Sequence, residues 1–266
     1  LLMILSCKDK KEEKEESVVY PTTSPVQMDT VINKEFVSQI RSERNIEIRA
    51  QEKGFLEKIY VDEGQHVQAG QVLFRIMPQL YQADVLKAKA EVAQAEIELQ
   101  NANTLANSNV VSINEKRMAK AKLDAAKAEL NLAQTHLSFT TIRAPFSGII
   151  DRLPLKLGSL VDEGDLLTSL SDNGGIFAYF NVSEPEYLNY QTHSAERENN
   201  QVSLIMANGE VFPNKGTIQT IEGEFDNETG NIAFRAKFPN SNQLLRNGET
   251  GKIQMTLPLK NALIIP

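Results

Sequence analysis

IRAQEKGFLEK, residues 48–58, returns as IRAPFSGIIDR at 142–152, displaced by 94 positions. Held at that offset from 48 to 76, the two copies agree at eight of 29 positions. Three glycine pairs keep their spacing: Gly54 with Gly148, Gly64 with Gly158 and Gly70 with Gly164. Val67 matches Val161, Leu73 matches Leu167, Glu57-Lys58 becomes Asp151-Arg152 and Ile76 becomes Leu170, so apolar positions stay apolar. Glycine at fixed spacing marks positive φ or close backbone approach. Here it predicts turns between short strands such as FLEKIYV and VLFRI. One copy supplies too few strands to enclose a core. Two copies facing each other predict a small two-fold β-sandwich in which each half completes the other.

The doubled module resembles the lipoyl/biotinyl domain. True carriers of that family display a modified lysine, in a D-K-A or M-K-M tripeptide, at the hairpin between the halves. Here the first half ends IMPQLY, residues 76–81, with no lysine at the tip. The carrier chemistry is missing, and no cofactor is expected.

Between Pro78 and Pro145 lie 66 residues without Gly or Pro, in a chain that has 14 Gly and 10 Pro. The absence of both usual breakers predicts continuous helix. Val85, Ala88, Val92, Ala95, Leu99, Ala102 and Ala106 alternate spacings of three and four, as do Ala119, Leu123, Ala126, Leu130, Ala133 and Leu137. Both runs are heptad seams. The polar stretch from Asn103 to Ser112 interrupts them, so the chain reverses there; Ser112 is placed to cap the second helix, with Glu115 completing a capping box. The expectation is an antiparallel hairpin over 80–137, each helix about 25 residues and about 37 Å long. A second apolar set (Leu86, Ala90, Ala93, Ile97; Ala121, Ala125, Ala128, Leu132) either widens the stripe inside the hairpin or forms a seam toward neighbouring hairpins.

Composition narrows the function. With 28 Lys and Arg against 35 Asp and Glu the net charge is −7, and no basic block forms a phosphate-neutralising face, which argues against nucleic acid. No window reaches the roughly 18 consecutive apolar residues of a membrane span. LLMILSC, at residues 1–7, reads as the tail of a secretory signal ending in a lipobox, with Cys7, the only cysteine, as the lipid attachment site. The numbering is therefore expected to begin inside the signal. KDKKEEKEE, residues 8–16, reads as a solvated tether.

From 173 onward the texture changes to short alternating runs (IFAYFNV, VSLIM, GTIQTI, NIAFRAKF, GKIQMTL) separated by Asn173-Gly174-Gly175, Asn208-Gly209, Asn227–Gly230 and Asn247-Gly248. These predict an antiparallel barrel with short hairpins, joined by residues 33–46. The order as a whole resembles the periplasmic adaptor subunits (membrane fusion proteins, HlyD/AcrA-like) of tripartite RND efflux pumps, on YQADVLKAKAEVAQAE, LSFTTIRAPFSGII, FAYFNVSEPEYL and DNETGNIAFRAKFPNSNQLLRNGETGKI. The fold expected is α+β, elongated and multidomain. Residues 1–17 are the signal remnant and tether and 18–32 the first strand of a membrane-proximal domain. The barrel takes 33–46 and 173–258, the split lipoyl-like domain 47–79 and 138–172, the hairpin 80–137, and 259–266 begin the rest of the membrane-proximal domain, in which the chain is expected to be cut short.

What the resemblance implies is a bridge without catalysis. The partners would be an inner-membrane RND transporter, an outer-membrane channel and further copies of the chain, typically six in a ring. The location would be the periplasm of a Gram-negative bacterium, lipid-anchored at the inner membrane. The family's channel contact has the pattern Arg-x3-Leu-x6-Ser at the hairpin tip; Leu105 and Ser112 fit it, but Asn101 stands at the arginine position. An adaptor of an ABC exporter is the nearest rival, disfavoured by FNVSEPEYL and TGNIAFRAKFPN. His66, His136 and His193 fall in three modules with no metal-ligand spacing, and Glu222, Glu224 and Asp226 read as a solvated acidic hairpin.

Overall fold

A computed structural model describes residues 23–108, 110–192 and 200–265. Cys7, residues 8–16 and His193 lie outside them. The elements in order are β1 (Val26–Arg49), β2 (Gly54–Ile59), β3 (His66–Val67), β4 (Val72–Ile76), α1 (Gln79–Asn107), α2 (Ile113–Phe139), β5 (Thr141–Arg143), β6 (Gly148–Ile150), β7 (Leu160–Val161), β8 (Leu166–Ser183), α3 (Glu184–Thr192), β9 (Gln201–Met206), β10 (Gly216–Ile221), β11 (Asn231–Pro239) and β12 (Thr250–Ile264). They fall into two compact units, residues 34–255 and residues 1–33 with 256–266.

Within the larger unit the repeat becomes a sandwich by exchange. One sheet runs β5-β4-β2-β7; the facing layer joins β3 to β6, β6 to β8 and β8 to β1. The short strand of each copy pairs with the other copy: β7 lies beside β2 and β3 beside β6. Backbone bonds repeat with the 94-residue displacement. The Gly64 N–H donates to the Ile150 carbonyl at 2.8 Å and the Gly158 N–H to Leu56 at 2.9 Å; Gly70 donates to Ala144 at 2.7 Å and Gly164 to Ala50 at 2.8 Å. Leu56, Val67, Leu73 and Ile76 of the first copy and Ile150, Val161, Leu167 and Leu170 of the second are all buried in one core.

Five of the six repeated glycines show two purposes. Gly64, Gly70, Gly158 and Gly164 have φ of 76°, 80°, 84° and 90°, the left-handed region that a Cβ penalises. Gly148 is set by space instead, because a Cβ there would lie 2.5 Å from the Ser171 carbonyl oxygen of β8.

The second half of the unit is a closed barrel. Its strands run β1-β12-β9-β10-β11-β8, and β8 pairs back with β1 to close the ring. Phe180, Phe234 and Phe238 fill it, with the Phe180 and Phe234 rings 5.6 Å apart. Buried Asn240 donates to the Asn173 and Leu245 carbonyls at 2.8 Å each and accepts from the Leu245 N–H at 3.2 Å.

Two features depart from the sequence reading. Asn173-Gly174-Gly175 does not end a strand, because β8 runs through it from sandwich to barrel. Opposite it, β1 pairs Ser42 with Ile176 and Arg44 with Asp172, so three residues of β8 face the single residue Glu43 and form a bulge. The bulge is pinned by Ser42 Oγ on Asn173 Oδ1 and by Arg44 on Asp172, whose guanidinium also lies 4.4 Å over the Phe146 ring. Burial works to raise the Asp172 carboxyl, but the bonds from Arg44 and the Gly174 N–H outweigh it and hold it below the usual carboxylate range. The second departure is α3, a helix within the stretch expected to be strands. Its start was readable: Ser183 is followed by Pro185 and Glu186, and Ser183 Oγ bonds Glu186 Oε2 at 3.0 Å. Tyr190 of α3 lays its ring 5.1 Å from Phe234 and so joins the barrel core.

In the smaller unit, Thr256 Oγ1 donates to Asn33 Oδ1 at 2.9 Å and the Asn261 N–H to Asp29 Oδ1 at 2.8 Å, tying the early part of β1 to the late part of β12.

Gly148→Ala is expected to destabilise the protein by about 1–3 kcal/mol, since carbonyl backbone rather than a flexible side chain must yield. A lowered urea midpoint at unchanged m-value measures this; an unchanged midpoint contradicts the close-approach argument.

Candidate functional site

The helical hairpin replaces the turn between β4 and β5. Arg75 pairs with Thr141 and Phe74 with Ile142, and the Ile76 N–H donates to the Thr140 carbonyl at 2.8 Å, so both helix roots are fixed side by side in one sheet. Two further contacts tie the roots to the loop after β1. Tyr81 of α1 donates its hydroxyl to the Lys53 carbonyl at 2.8 Å, and His136 in the last turn of α2 pairs with Glu52. Burial, followed by the bond to Glu52, pushes the Tyr81 phenol above its ordinary value. His136 thus has a structural partner, and His66 lies exposed on β3.

The helices are 29 and 27 residues long, about 44 Å and 40 Å at 1.5 Å per residue. Both exceed the expected length: α1 continues through Asn103 and Thr104 to Asn107, and α2 runs on to Phe139. Thr104 turns its hydroxyl onto the Gln100 carbonyl at 3.0 Å instead of breaking the helix. Every position of the two seams is buried or half-buried, with Val85, Ala88, Ala95, Ala102 and Leu123 the most enclosed. Alanine at most of them lets the backbones approach closely. Lys122–Glu98 at 2.5 Å and Lys127–Glu96 at 3.3 Å bridge the helices beside the seam. The bonds from Lys122 and then Gln94 hold the Glu98 carboxyl below its ordinary range. The second apolar set is exposed throughout: Leu86, Ile97 and Leu132 point away from the hairpin's own seam.

Asn101, Leu105 and Ser112 lie together at the tip. Ser112 caps α2 by accepting the Glu115 N–H at 3.3 Å. Asn101 and Leu105 line a groove of about 480 Å³ between the helices, with Val111, Glu115 and Met118 on its other wall. Leu105 is 43% exposed, and Val110, Ile113 and Met118, which sequence reasoning passed over, are 67%, 67% and 73% exposed. Their apolar character was visible; that they crowd one end without a cover was not.

The acidic cluster singled out in the sequence is solvated. Glu222, Glu224 and Asp226 are exposed, and Asp226 closes its turn by accepting the Glu228 and Thr229 N–H groups, which hold its carboxyl low. Among the described residues no cluster of three or more His, Cys, Asp or Glu could hold a metal ion, and no helix is long and apolar enough to cross a membrane.

A two-fold sandwich split by a coiled-coil hairpin and followed by a closed six-stranded barrel defines the barrel-sandwich hybrid class of adaptor folds. Residues 44–172 match the barrel-sandwich hybrid domain of RND MFPs, and residues 175–259 match the β-barrel domain of RND MFPs. The periplasmic linker BepD of a Brucella suis efflux pump is 31% identical over 263 residues, covering 90% of this chain and 66% of BepD. The multidrug export protein AcrE of Escherichia coli is 30% identical over 274 residues, covering 92% and 70%. A crystallised MacA–MexA chimera carrying the Pseudomonas aeruginosa MexA α-hairpin superimposes with a TM-score of 0.76 at 22% identity, covering 92% of this chain and 88% of the chimera. The chain belongs to the RND membrane fusion protein family. It spans about two thirds of the length of these curated relatives.

The Glu98–Lys122 pair has a definite pH signature. Because the folded carboxyl is depressed, its contribution is present above the unfolded value of about 4.3 and is lost as pH falls through the folded value. The melting-temperature gap between wild type and Lys122→Met, followed by far-UV circular dichroism, is expected to shrink from about pH 6 to about pH 3. A gap that stays constant across that range removes the pair from hairpin stability.

Proposed function

We propose that this chain is a periplasmic adaptor that links a proton-driven RND transporter of the inner membrane to an outer-membrane channel, for export of drugs or other small molecules from a Gram-negative cell. The observation that carries this reading is the hairpin itself. A rod of about 40 Å rooted in a rigid sandwich, with its apolar surface concentrated at the free end, is built for reach and end-on contact. The names of BepD and AcrE, a periplasmic linker and a multidrug export protein, support it. In this reading Asn101, Leu105 and Ser112 meet the channel, and the barrel and the unit of residues 1–33 and 256–266 face the transporter. The matched domains are both of the RND type, which favours this transporter class over an ABC exporter. A carrier role is disfavoured because a helical hairpin occupies the position where carriers present their lysine.

Several copies would form a ring, typically of six. The uncovered stripe of Leu86, Ile97 and Leu132 supports packing between neighbouring hairpins, since apolar area so exposed on a long helix gains from burial. Acylation at Cys7 would anchor the ring; one acyl chain binds membranes only marginally, so more than one chain on Cys7 is implied.

Two outcomes test this. Cysteines at Ala93 and Ala128, with Cys7 retained so that the anchor is kept, are expected to cross-link different copies in cells; exclusively intramolecular products argue against a second seam. Cys7→Ser is expected to move the protein from the membrane to the soluble fraction, and unchanged membrane association would remove the lipid anchor.

A further inference from the structure

We infer that the sandwich carries a self-association surface of its own, the apolar row Met77, Phe55 and Leu160 with Leu157 beside it, which seats against the sandwich of a neighbouring copy. The inference rests on the reading of several copies side by side and names a contact for it outside the hairpin.

The row crosses three strands. Phe55 of β2 pairs with Leu160 of β7, and the Met77 N–H, just past β4, donates to the Phe55 carbonyl at 2.9 Å. Side chains opposite one another share a face of the sheet. The residues next to them, Leu56, Val161 and Ile76, are buried in the core, so Phe55, Leu160 and Met77 face outward. They are 50%, 61% and 42% exposed, and Leu157, in the turn before β7, is 66% exposed.

The repeat supplies a control. The 94-residue displacement relates Phe55 to Ile149, Met77 to Ser171, Leu160 to His66 and Leu157 to Glu63. Ile149 pairs with His66 on one side and Ser171 on the other, so the second copy builds the same row in the same register. There the row is largely polar. Ser171 Oγ accepts from Asn45 Nδ2 at 3.2 Å, Glu63 accepts the Leu153 N–H at 2.9 Å, and Ile149, the one apolar member, is half-buried. The fold that both copies share therefore does not require apolar side chains at these four positions. The first copy nevertheless holds four of them in solvent.

Size decides the occupant. At roughly 200 Å² for a large side chain fully exposed, the four present on the order of 400 Å², a patch of functional size but about half of the roughly 800 Å² that each partner of a stable complex buries. The rest must come from a further uncovered surface. The hairpin stripe of Leu86, Ile97 and Leu132 is one, and Met77 stands two residues before α1. An occupant that covers both must extend from sandwich to hairpin, and a second copy of this chain has that extent.

The test places a photo-reactive p-benzoylphenylalanine in the full chain at Phe55 or at Leu160, with Ala93 of the hairpin as comparison, and irradiates cells. Phe55 and Leu160 are expected to give dimers of the chain, with mass spectrometry locating the joined peptide in the partner's sandwich. Adding Leu157→Glu and Leu160→His to the Phe55 probe gives the first copy the residues of the second. That variant is expected to lose more than about tenfold of the dimer yield, since a carboxylate would be buried without a partner, and to keep its urea midpoint. Undiminished dimers from it, adducts joined only to another protein, or no dimer from Phe55 and Leu160 while Ala93 gives one, overturn the sandwich surface and leave the hairpin seam. No dimer from any of the three positions removes the side-by-side reading itself.

Discussion

The constraint on which the rest depends is the exchange of hydrogen bonds between two copies of one short motif. Each copy lends a two-residue strand to the other, and the glycine amides at 64 and 158 reach carbonyls in the opposite copy, Ile150 and Leu56. Neither half alone supplies the partners of these bonds or encloses Leu56, Val67, Ile150 and Val161, which are buried in one core shared by both copies. The halves therefore form together or not at all. Because both chain ends of the insertion leave the same sheet, at β4 and β5, whatever lies between them must depart and return at one place. A helical hairpin is the solution that an alanine seam permits.

From that root the helices inherit their direction, and the paired seam keeps them together along their length. Tyr81 and His136 add side-chain ties to the loop at residues 52–53, one from each helix. At the far end there is no such support, and the side chains there remain uncovered. The barrel is joined to the sandwich by continuous strands rather than by a loop, since β1 and β8 run through both. The bulge at Asn173–Gly175 is where the two structures can differ in direction without breaking the strands.

Much of this was legible in the chain. The repeat, the absence of Gly and Pro over 66 residues, the three-four spacing and the Ser112 cap all depend on local chemistry, which sequence displays directly. The misreadings have a common cause. Asn-Gly-Gly is compatible with a turn and with a bulge, and only the presence of Glu43 on a facing strand distinguishes them. Likewise the helix α3 was masked by the alternating runs around it, although Ser183, Pro185 and Glu186 spell a helix start. At the tip, Leu105 and Ser112 could be picked out by spacing, whereas Val110, Ile113 and Met118 have ordinary local contexts and stand out only by exposure.

The sequence by itself determined that two like halves enclose a long helical insertion, because periodicity, breakers and caps are properties of neighbours along the chain. It could not decide which apolar stripe of each helix would be covered. Val85 and Leu86 are adjacent residues of the same character, each belonging to a run with helical spacing, yet one is buried and the other exposed. That choice comes from the sandwich, whose paired strands bring the two helix roots together at one edge and so bring one face of each helix against the other.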